Sequence, residues 1–311
     1  MNWRDDTLSS TASFHFPRRN LVAPLRSKNC KSTRRLIALA TLGALLQLAA
    51  PATAQDEAAP SADKPAINQE RARRLDQMAA AAADYELWRG GDAEQPLVRV
   101  ERPVLRWSNP VRAAADGAVF LWADEKGEKR PAAAMCIYGN GEDGEDHEWQ
   151  SLSTGPLRAA YRGVTVWRPQ TAGLEFHAAP GATEPAATPA RRLAQMHDLL
   201  RDVGATAGHK PEQVELRALT HPIYRYGDEQ AEVVDGAVFA FAQATDPEIL
   251  LLLEARRENA KPAVWQWAAA RMSMVPLDLK RRGELIWSVD WHYGSNDRDS
   301  RITLFRKRVD R

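Results

Sequence analysis

Apolar residues recur at helical spacing in two places along the chain. The first stripe consists of Leu75, Met78, Ala82 and Tyr85, and Gly90 and Gly91 follow it. The second stripe consists of Leu193, Met196, Leu200 and Val203, with Thr188 before it as an N-cap and Gly204 after it. Residues at this spacing share one face of an α-helix, so each stripe predicts a helix with one buried face.

After each helix the pattern changes to the alternation that is typical of strands. The strands predicted in the first part are 97–107, 117–123, 132–138, 163–167 and 174–177; those in the second are 214–226, 236–243, 249–255, 264–271, 284–293 and 302–306. We therefore predict an α+β fold in which one N-terminal helix packs on a curved antiparallel sheet of about five strands, twice. The alternative is a single closed or sandwiched β structure to which both parts contribute strands.

The two parts are copies of each other. Residues 72–78 (ARRLDQM) return as residues 190–196 (ARRLAQM) at an offset of 118, and residues 116–120 (DGAVF) return unchanged as residues 235–239 at an offset of 119. A period this long exceeds that of solenoid repeats and indicates a duplicated domain. We assign residues 67–178 to repeat 1, residues 179–187 to a linker and residues 188–306 to repeat 2. The repeats are expected to pack about a pseudo-twofold axis.

Residues 1–54 have the features of a signal peptide with a long n-region. Basic residues precede an uncharged apolar run over residues 36–50, and Ala52-Thr53-Ala54 supplies the small residues of a cleavage site. The run is shorter than the roughly 20 residues of a membrane-spanning helix. We therefore predict an exported protein, periplasmic or secreted, that is cleaved near Ala54 and has no stable membrane span after cleavage. Residues 55–66, rich in Ala, Pro and Asp, are predicted to form a disordered tether.

Cleavage would change the charge and the cysteine content. The full chain has 42 Lys and Arg against 41 Asp and Glu, and residues 1–54 hold eight of the basic and two of the acidic residues. The remainder carries a net charge of about −5, which disfavours nucleic acid as a partner. Cys136 is the one cysteine that remains, so no internal disulfide is expected.

Four residues at equivalent positions of the two copies are the candidate ligand-binding residues. They are Arg106 and Trp107 in repeat 1, and Arg225 and Tyr226 in repeat 2. A symmetric pair of guanidinium groups that converge in a groove between the repeats would suit an anionic ligand. The partner is expected to be a small molecule, a glycan or an envelope protein, with the aromatic residues contributing to its binding.

The same residues also allow a structural interpretation. Each arginine lies ten residues before the Asp of an Asp-Gly pair, Asp116 or Asp235, and would form an ion pair with it. The Asp-Gly pairs themselves are expected to form turns or bulges, in which glycine supplies a positive φ.

Residues 140–148 (NGEDGEDHE) form the most charged stretch of the chain. Asp146, His147 and Glu148 are the candidates there for acid/base chemistry or for a metal site. The glycines do not fall where a calcium-binding EF-hand loop needs them, and a second His or Cys at zinc-site spacing is lacking. A solvated acidic hairpin tip is therefore the favoured interpretation, and no metal or cofactor is predicted. The equivalent segment of repeat 2, residues 256–262, is mostly basic.

Tryptophans and motifs complete the sequence picture. Trp265 with Trp267, and Trp287 with Trp291, could present an aromatic platform for a sugar or a peptide, although most tryptophans are expected in the core. No nucleophile elbow, phosphate loop, dinucleotide fingerprint or HExxH frame is present in the sequence. Residues 103–112 (PVLRWSNPVR) and 116–122 (DGAVFLW) resemble a segment of exported bacterial proteins of unassigned function, and this resemblance implies no particular activity.

Three functional hypotheses follow. The preferred one is an exported, non-catalytic binding or interaction protein of the cell envelope with its ligand in the pseudo-twofold groove. The second is an envelope hydrolase that uses the histidine-containing segment 140–148. The third is an envelope scaffold that assembles through the oppositely charged loops of the two repeats.

Overall fold

The computed structural model describes residues 63–90, 95–109, 114–139, 144–258 and 261–307. The predicted signal peptide and most of the predicted tether lie outside this part of the chain. The first described helix begins at Asp63, within the last residues of the segment predicted as the tether.

Strands dominate the described residues in both halves. The first half contains α1 (Asp63–Ala83), β1 (Tyr85–Arg89), β2 (Gln95–Arg99), β3 (Leu105–Asn109), β4 (Ala114–Asp124), β5 (Pro131–Gly139), β6 (Gly144–Ser151), β7 (Leu157–Tyr161), β8 (Val164–Trp167) and β9 (His177–Ala178). The second half contains α2 (Pro189–Arg201), β10 (Val203–Ala207), β11 (Val214–Ala218), β12 (Tyr224–Tyr226), β13 (Val233–Gln243), β14 (Asp246–Arg256), β15 (Val264–Arg271), β16 (Leu277–Arg281), β17 (Glu284–Val289) and β18 (Arg301–Lys307).

The α+β prediction is therefore wrong. Strands make up 50% of the residues that the structure describes, helices are a small minority, and the described part is built mainly of two curled antiparallel sheets. The sequence reasoning merged neighbouring strands, since the predicted strand 97–107 covers β2 and β3, and 214–226 covers β11 and β12. It also extended both helices too far. Tyr85 and Val203 continue the helical spacing, yet they begin β1 and β10.

The two sheets have the same topology. The first has nine strands in the order β18-β6-β5-β4-β2-β1-β7-β8, with β3 paired to β4. The second has nine strands in the order β17-β16-β10-β11-β13-β14-β15-β9, with β12 paired to β13. Read from opposite ends, these orders match strand for strand, so each half repeats one helix followed by nine strands.

The halves exchange their last strands. Strand β18, at the end of the second half, pairs with β6 of the first half from Arg301 opposite Gln150 to Lys307 opposite Gly144. Reciprocally, β9 of the first half pairs with β15 of the second, with His177 opposite Trp267. The expected pair of independent helix-and-sheet units is therefore replaced by an interlocked structure, and the alternative in which both copies contribute strands describes it better.

The central strands are buried on both faces. In β4, Phe120 and Trp122 belong to a core cluster beneath α1, whereas Val119 and Leu121 belong to a second cluster shared by both halves. Successive residues of a strand point to opposite faces, so an apolar residue at every position means that each face packs against protein. The structure is thus layered, with one core under each helix and a third core between the two sheets.

Candidate functional site

The predicted ligand residue Arg106 lies in a buried ion-pair cluster. Its Nε donates to Oδ2 of Asp116 at 3.1 Å, and Nε of Arg74 donates to Oδ1 of the same carboxylate at 2.7 Å. The Asp116 side chain is almost fully buried, so the two guanidinium groups neutralise a charge that would otherwise be costly to bury. Arg74 comes from α1 and Arg106 from β3, and the cluster therefore fastens the helix to β3 and β4.

The second half repeats this arrangement. Arg225 donates to Oδ1 of Asp235 at 2.5 Å, and Nε of Arg192 in α2 donates to Oδ2 at 2.9 Å. Arg192 also donates to Glu229 at 2.6 Å. Sequence reasoning missed Arg74 and Arg192, although both are the second arginine of the duplicated Ala-Arg-Arg-Leu segment. Their repetition was the signal that could have identified them.

The predicted aromatic residues Trp107 and Tyr226 are buried in the core between the sheets. Each ring lies on the glycine of an Asp-Gly pair: a Cβ added to Gly117 would lie 2.4 Å from the Trp107 ring, and one added to Gly236 would lie 2.4 Å from the Tyr226 ring. Asp116-Gly117 lies within β4 and Asp235-Gly236 within β13, so the expectation of turns with a positive φ is wrong. The alternative expectation of bulges agrees with the irregular strand register directly before each glycine. Glycine is needed there to leave room for a ring.

Polar atoms of the two rings are also bound within the protein. Nε1 of Trp107 lies 3.2 Å from Sγ of Cys136, and the Tyr226 hydroxyl donates to Glu254 at 2.7 Å. Side chains of both sheets fill the space around the rings. A ligand at the predicted pseudo-twofold groove would have to displace this packing.

The acidic segment is placed differently from the prediction. Residues 140–143 lie outside the described part of the chain, but Asp146, His147 and Glu148 lie on β6, between β5 and β18. His147 and Glu148 are buried, so the interpretation of this part as a solvated hairpin tip is wrong. Strand β18 belongs to the C-terminal part of the chain, and the sequence around residue 148 does not indicate that β6 pairs with it.

His147 and Glu148 point to opposite faces of β6. Nδ1 of His147 lies 2.8 Å from the Tyr85 hydroxyl on the side of α1. Glu148 instead accepts hydrogen bonds from Arg301 at 2.8 Å and from the Tyr138 hydroxyl at 3.1 Å. Burial raises the pKa of Glu148, although Arg301 and Tyr138 act to lower it. The two side chains do not meet, and among the described residues no group of three His, Cys, Asp or Glu side chains is arranged to hold a metal ion.

Sequence reasoning missed an exposed aromatic pair. Trp291 and Tyr293 follow β17 and are 47% and 70% exposed. Their rings are nearly parallel, with an interplanar angle of 13° and centroids 6.1 Å apart. We call these two residues the aromatic platform. The sequence pairs Trp291 with Trp287, but Trp287 is partly buried and packs against the core of the second half. The i, i+2 spacing of Trp291 and Tyr293 in the sequence could have identified this pair, because side chains at that spacing lie on the same side of an extended segment.

The backbone beneath the platform is fixed at every second residue. The carbonyl oxygen of Asp290 accepts a hydrogen bond from Arg271 at 2.8 Å, and that of His292 accepts one from Arg301 at 3.2 Å. The His292 N–H donates to the Met274 carbonyl at 2.9 Å. Residues 290 and 292 are thus bonded inward, which leaves the side chains of 291 and 293 in solvent.

Arg271, which anchors this segment, is itself largely buried. Besides Asp290 it donates to the carbonyl oxygens of Ser273 at 2.9 Å and Val275 at 2.8 Å. Burial and the charge of Arg301 lower the pKa of Arg271 to about 10, so the guanidinium group remains charged at neutral pH. One cation therefore ties three loop carbonyls together under the platform.

A small apolar cavity lies beneath α2. Its lining includes Leu199, Leu251, Leu253, Trp267 and Ile286, and its volume is about 20 Å³. That volume is about enough for a single water molecule. The cavity is therefore a packing defect of the second core and not a site for an organic ligand.

Comparisons with known proteins give no relative: no protein-family model, curated protein or solved structure matches the chain. Neither of the two described helices is both long enough and apolar enough to span a membrane.

Proposed function

We propose that this is an exported, non-catalytic binding protein of the cell envelope, whose ligand binds at the aromatic platform formed by Trp291 and Tyr293. The observation that supports the proposal is the pair of large rings that an anchored backbone holds in solvent. Burying a large apolar side chain contributes about 1.5–3 kcal/mol. In the free protein most of the Tyr293 side chain and about half of the Trp291 side chain are still exposed. A ligand that covers the rings would therefore gain that part of the burial free energy.

Preorganisation supports the same proposal. Ordering a loop and its side chains on binding costs about 0.5–1.5 kcal/mol per immobilised side chain. The hydrogen bonds from Arg271 and Arg301 fix the backbone of residues 290–292 before any ligand arrives. A ligand at the platform therefore meets rings whose backbone is already positioned.

The placement of the other candidates favours the platform over the alternatives. Trp107 and Tyr226 are covered by protein, and Arg106 and Arg225 are engaged by Asp116 and Asp235. The hydrolase alternative needs His147 and Glu148 to act together, and their side chains lie on opposite faces of β6.

A thermal-shift experiment tests the proposal. The purified protein is heated with neutral oligosaccharides, soluble peptidoglycan fragments and synthetic peptides, each as a separate sample. A ligand at a hundredfold excess over its Kd stabilises the folded state by about 2.7 kcal/mol. For a chain of this size that corresponds to a Tm increase of about 5–10 °C.

The variants locate the binding. Trp291→Ala combined with Tyr293→Ala should abolish the Tm increase on addition of the ligand. The free variant should have a lower Tm than the wild type, because Trp291 is only 47% and Tyr293 only 70% exposed, so the effect of the ligand is measured against the variant's own Tm. Leu285→Ala is the matched control, since Leu285 is 58% exposed on β17 outside the platform. If no compound of the panel raises the Tm of the wild-type protein, the proposal is wrong.

A further inference from the structure

The residues beside the platform indicate the chemical class of its ligand. We propose that the platform binds a neutral saccharide, with a sugar ring stacked on Trp291 or Tyr293 and its hydroxyl groups bonded to Asp290 and His209. This inference rests on the proposed function and adds the ligand class to it.

The first argument is the combination of an apolar surface with a polar rim. A sugar ring has a face of C–H groups, which packs on an aromatic ring, and an edge of hydroxyl groups, which need hydrogen-bond partners. The platform supplies two nearly parallel rings. A ligand that matched the rings alone would leave the polar groups beside them unused.

The polar rim is formed by Asp290 and His209. Their side chains are 82% and 64% exposed, and Oδ1 of Asp290 lies 3.4 Å from Nε2 of His209. Oδ1 of Asp290 also accepts a hydrogen bond from the Trp291 N–H at 2.7 Å, which fixes the carboxylate next to the first ring. An ionised carboxylate is a strong acceptor for hydroxyl donors, and a histidine ring nitrogen can donate or accept.

The second argument concerns charge. Asp290 places a negative charge at the edge of the platform, which disfavours an anionic ligand. The two arginines beneath the platform, Arg271 and Arg301, direct their donors to the carbonyl oxygens of the loop and to Glu148. They are therefore occupied in the structure and do not face a ligand from below. A neutral ligand fits this distribution of charge.

The third argument concerns the main chain. An extended peptide that adds to a protein edge needs free backbone donors and acceptors. In residues 290–294 the N–H groups of Trp291, His292 and Gly294 are already donated to Asp290, Met274 and His292. The carbonyl oxygens of residues 290, 292 and 294 accept from Arg271, Arg301 and Thr303. The inward-facing backbone groups of residues 290, 292 and 294 are thus bonded within the protein, and a saccharide, unlike a peptide strand, does not depend on the backbone groups of residues 291 and 293.

Affinity electrophoresis tests the ligand class. The purified protein is run through native gels that contain hydroxyethyl cellulose, laminarin, soluble starch or dextran, all of which are neutral. A parallel gel contains the anionic polysaccharide alginate, and fluorescence anisotropy measures binding to a panel of labelled unstructured peptides. We expect retardation by at least one neutral polysaccharide and none by alginate.

The variants assign the interaction to the platform. Trp291→Ala or Tyr293→Ala should weaken binding about tenfold or more, as expected for the loss of a stacking ring. Trp291→Phe keeps an aromatic ring and should restore most of the affinity. Asp290→Asn and His209→Ala should each weaken binding, by less than the loss of a ring, and Leu285→Ala should bind as the wild type does.

The outcomes separate the two proposals. Retardation that is unchanged in Trp291→Ala and Tyr293→Ala would show a saccharide-binding protein whose site is not the platform, and would overturn this inference. Peptide or alginate binding that depends on Trp291, without binding to any neutral polysaccharide, would keep the binding function and overturn the ligand class. Binding to none of the probes would count against both.

Discussion

The contact between an aromatic ring and a glycine in each half leads to a quantitative prediction. A Cβ at Gly117 would lie 2.4 Å from the Trp107 ring, whereas ordinary contacts of a Cβ begin at 3.4 Å. Gly117→Ala therefore forces the ring to move by about 1 Å within a packed core, and such overpacking costs about 1–3 kcal/mol. Replacing a glycine by alanine in a backbone conformation that alanine can adopt raises the free energy of unfolding by about 0.4–1 kcal/mol.

The net effect is a loss of about 1–2 kcal/mol in the free energy of unfolding, or about 2–8 °C in Tm for a chain of this size. The same change should follow from Gly236→Ala, because the Tyr226 ring lies equally close. Urea unfolding followed by tryptophan fluorescence, with calorimetry for the Tm, measures both.

Gly204→Ala is the matched control. Gly204 also lies in a strand, β10, but an added Cβ there has no heavy atom within 4 Å. This substitution should leave the stability unchanged or raise it by up to about 1 kcal/mol. A second check is a double-mutant cycle with Trp107→Ala, in which the cost of Gly117→Ala should largely disappear. Equal effects of Gly117→Ala and Gly204→Ala would refute the argument that the ring requires glycine.

Three further predictions concern the ion-pair cluster, the exchanged strand and the platform loop. Arg192→Ala should lower the free energy of unfolding by about 3 kcal/mol, because it leaves the buried carboxylate of Asp235 with Arg225 alone. Arg191 is exposed, and Arg191→Ala should change the free energy of unfolding by less than about 0.5 kcal/mol. Comparable losses for the two variants in urea unfolding would be inconsistent with the ion-pair cluster. A chain ending at Ser300 lacks β18 and should lose cooperative unfolding in calorimetry, because β6 loses its partner strand and Glu148 loses Arg301. A chain ending at Lys307, the control, should unfold as the full chain does. A cooperative transition without β18 would show that the strand exchange is dispensable. Burial and the charges of Arg271 and Arg301 lower the pKa of His292 below its ordinary value of 6.5, so its neutral ring stabilises the fold above pH 6.5 and this contribution is lost as the pH falls through the folded-state pKa. Between pH 8 and pH 5 the free energy of unfolding should therefore decline more steeply for the wild type than for His292→Asn. Parallel pH profiles would contradict the assignment.

Local sequence patterns predicted the helices and most strand positions, but not the fold class. The stripe containing Met196 and Leu200 corresponds to α2, and Thr188 caps that helix by accepting from the Arg191 N–H. The run Leu250–Leu253 gives no alternation because both faces of β14 are buried, one under α2 and one against the other sheet. A strand was predicted at the position of β14, but the prediction assumed a sheet with one covered face. The second sheet, which covers the other face, was therefore not foreseen.

The strand exchange could not be inferred from local sequence. Strand β9 has only two residues, His177 and Ala178, and β18 is separated from its partner β6 by about half of the chain. The same long-range pairing explains why the acidic segment is buried although it was predicted to be solvated. Arg301 lies on β18 and neutralises Glu148. Burial of charge at residue 148 thus depends on a residue 153 positions away.

The ligand-binding residues predicted from the sequence are not those of the platform that we propose. Aromatic residues were expected to form a platform, and repeated residues were expected to mark it. Repetition instead marked the ring-on-glycine contacts and the ion pairs at Asp116 and Asp235, which both halves need in order to fold. The platform at Trp291 and Tyr293 occurs once and depends on tertiary hydrogen bonds to its backbone, which a sequence pattern does not contain.

The most direct test of saccharide binding at the platform is an NMR titration of the indole N–H signals. The Trp291 signal is assigned by its absence in Trp291→Phe, and the titrant is an oligosaccharide of the polysaccharide that retards the protein most. We predict that the Trp291 signal shifts on titration, while those of the buried Trp122, Trp149 and Trp167 stay in place. A Trp291 signal that does not move at saturating oligosaccharide, or shifts confined to the buried tryptophans, would contradict the account.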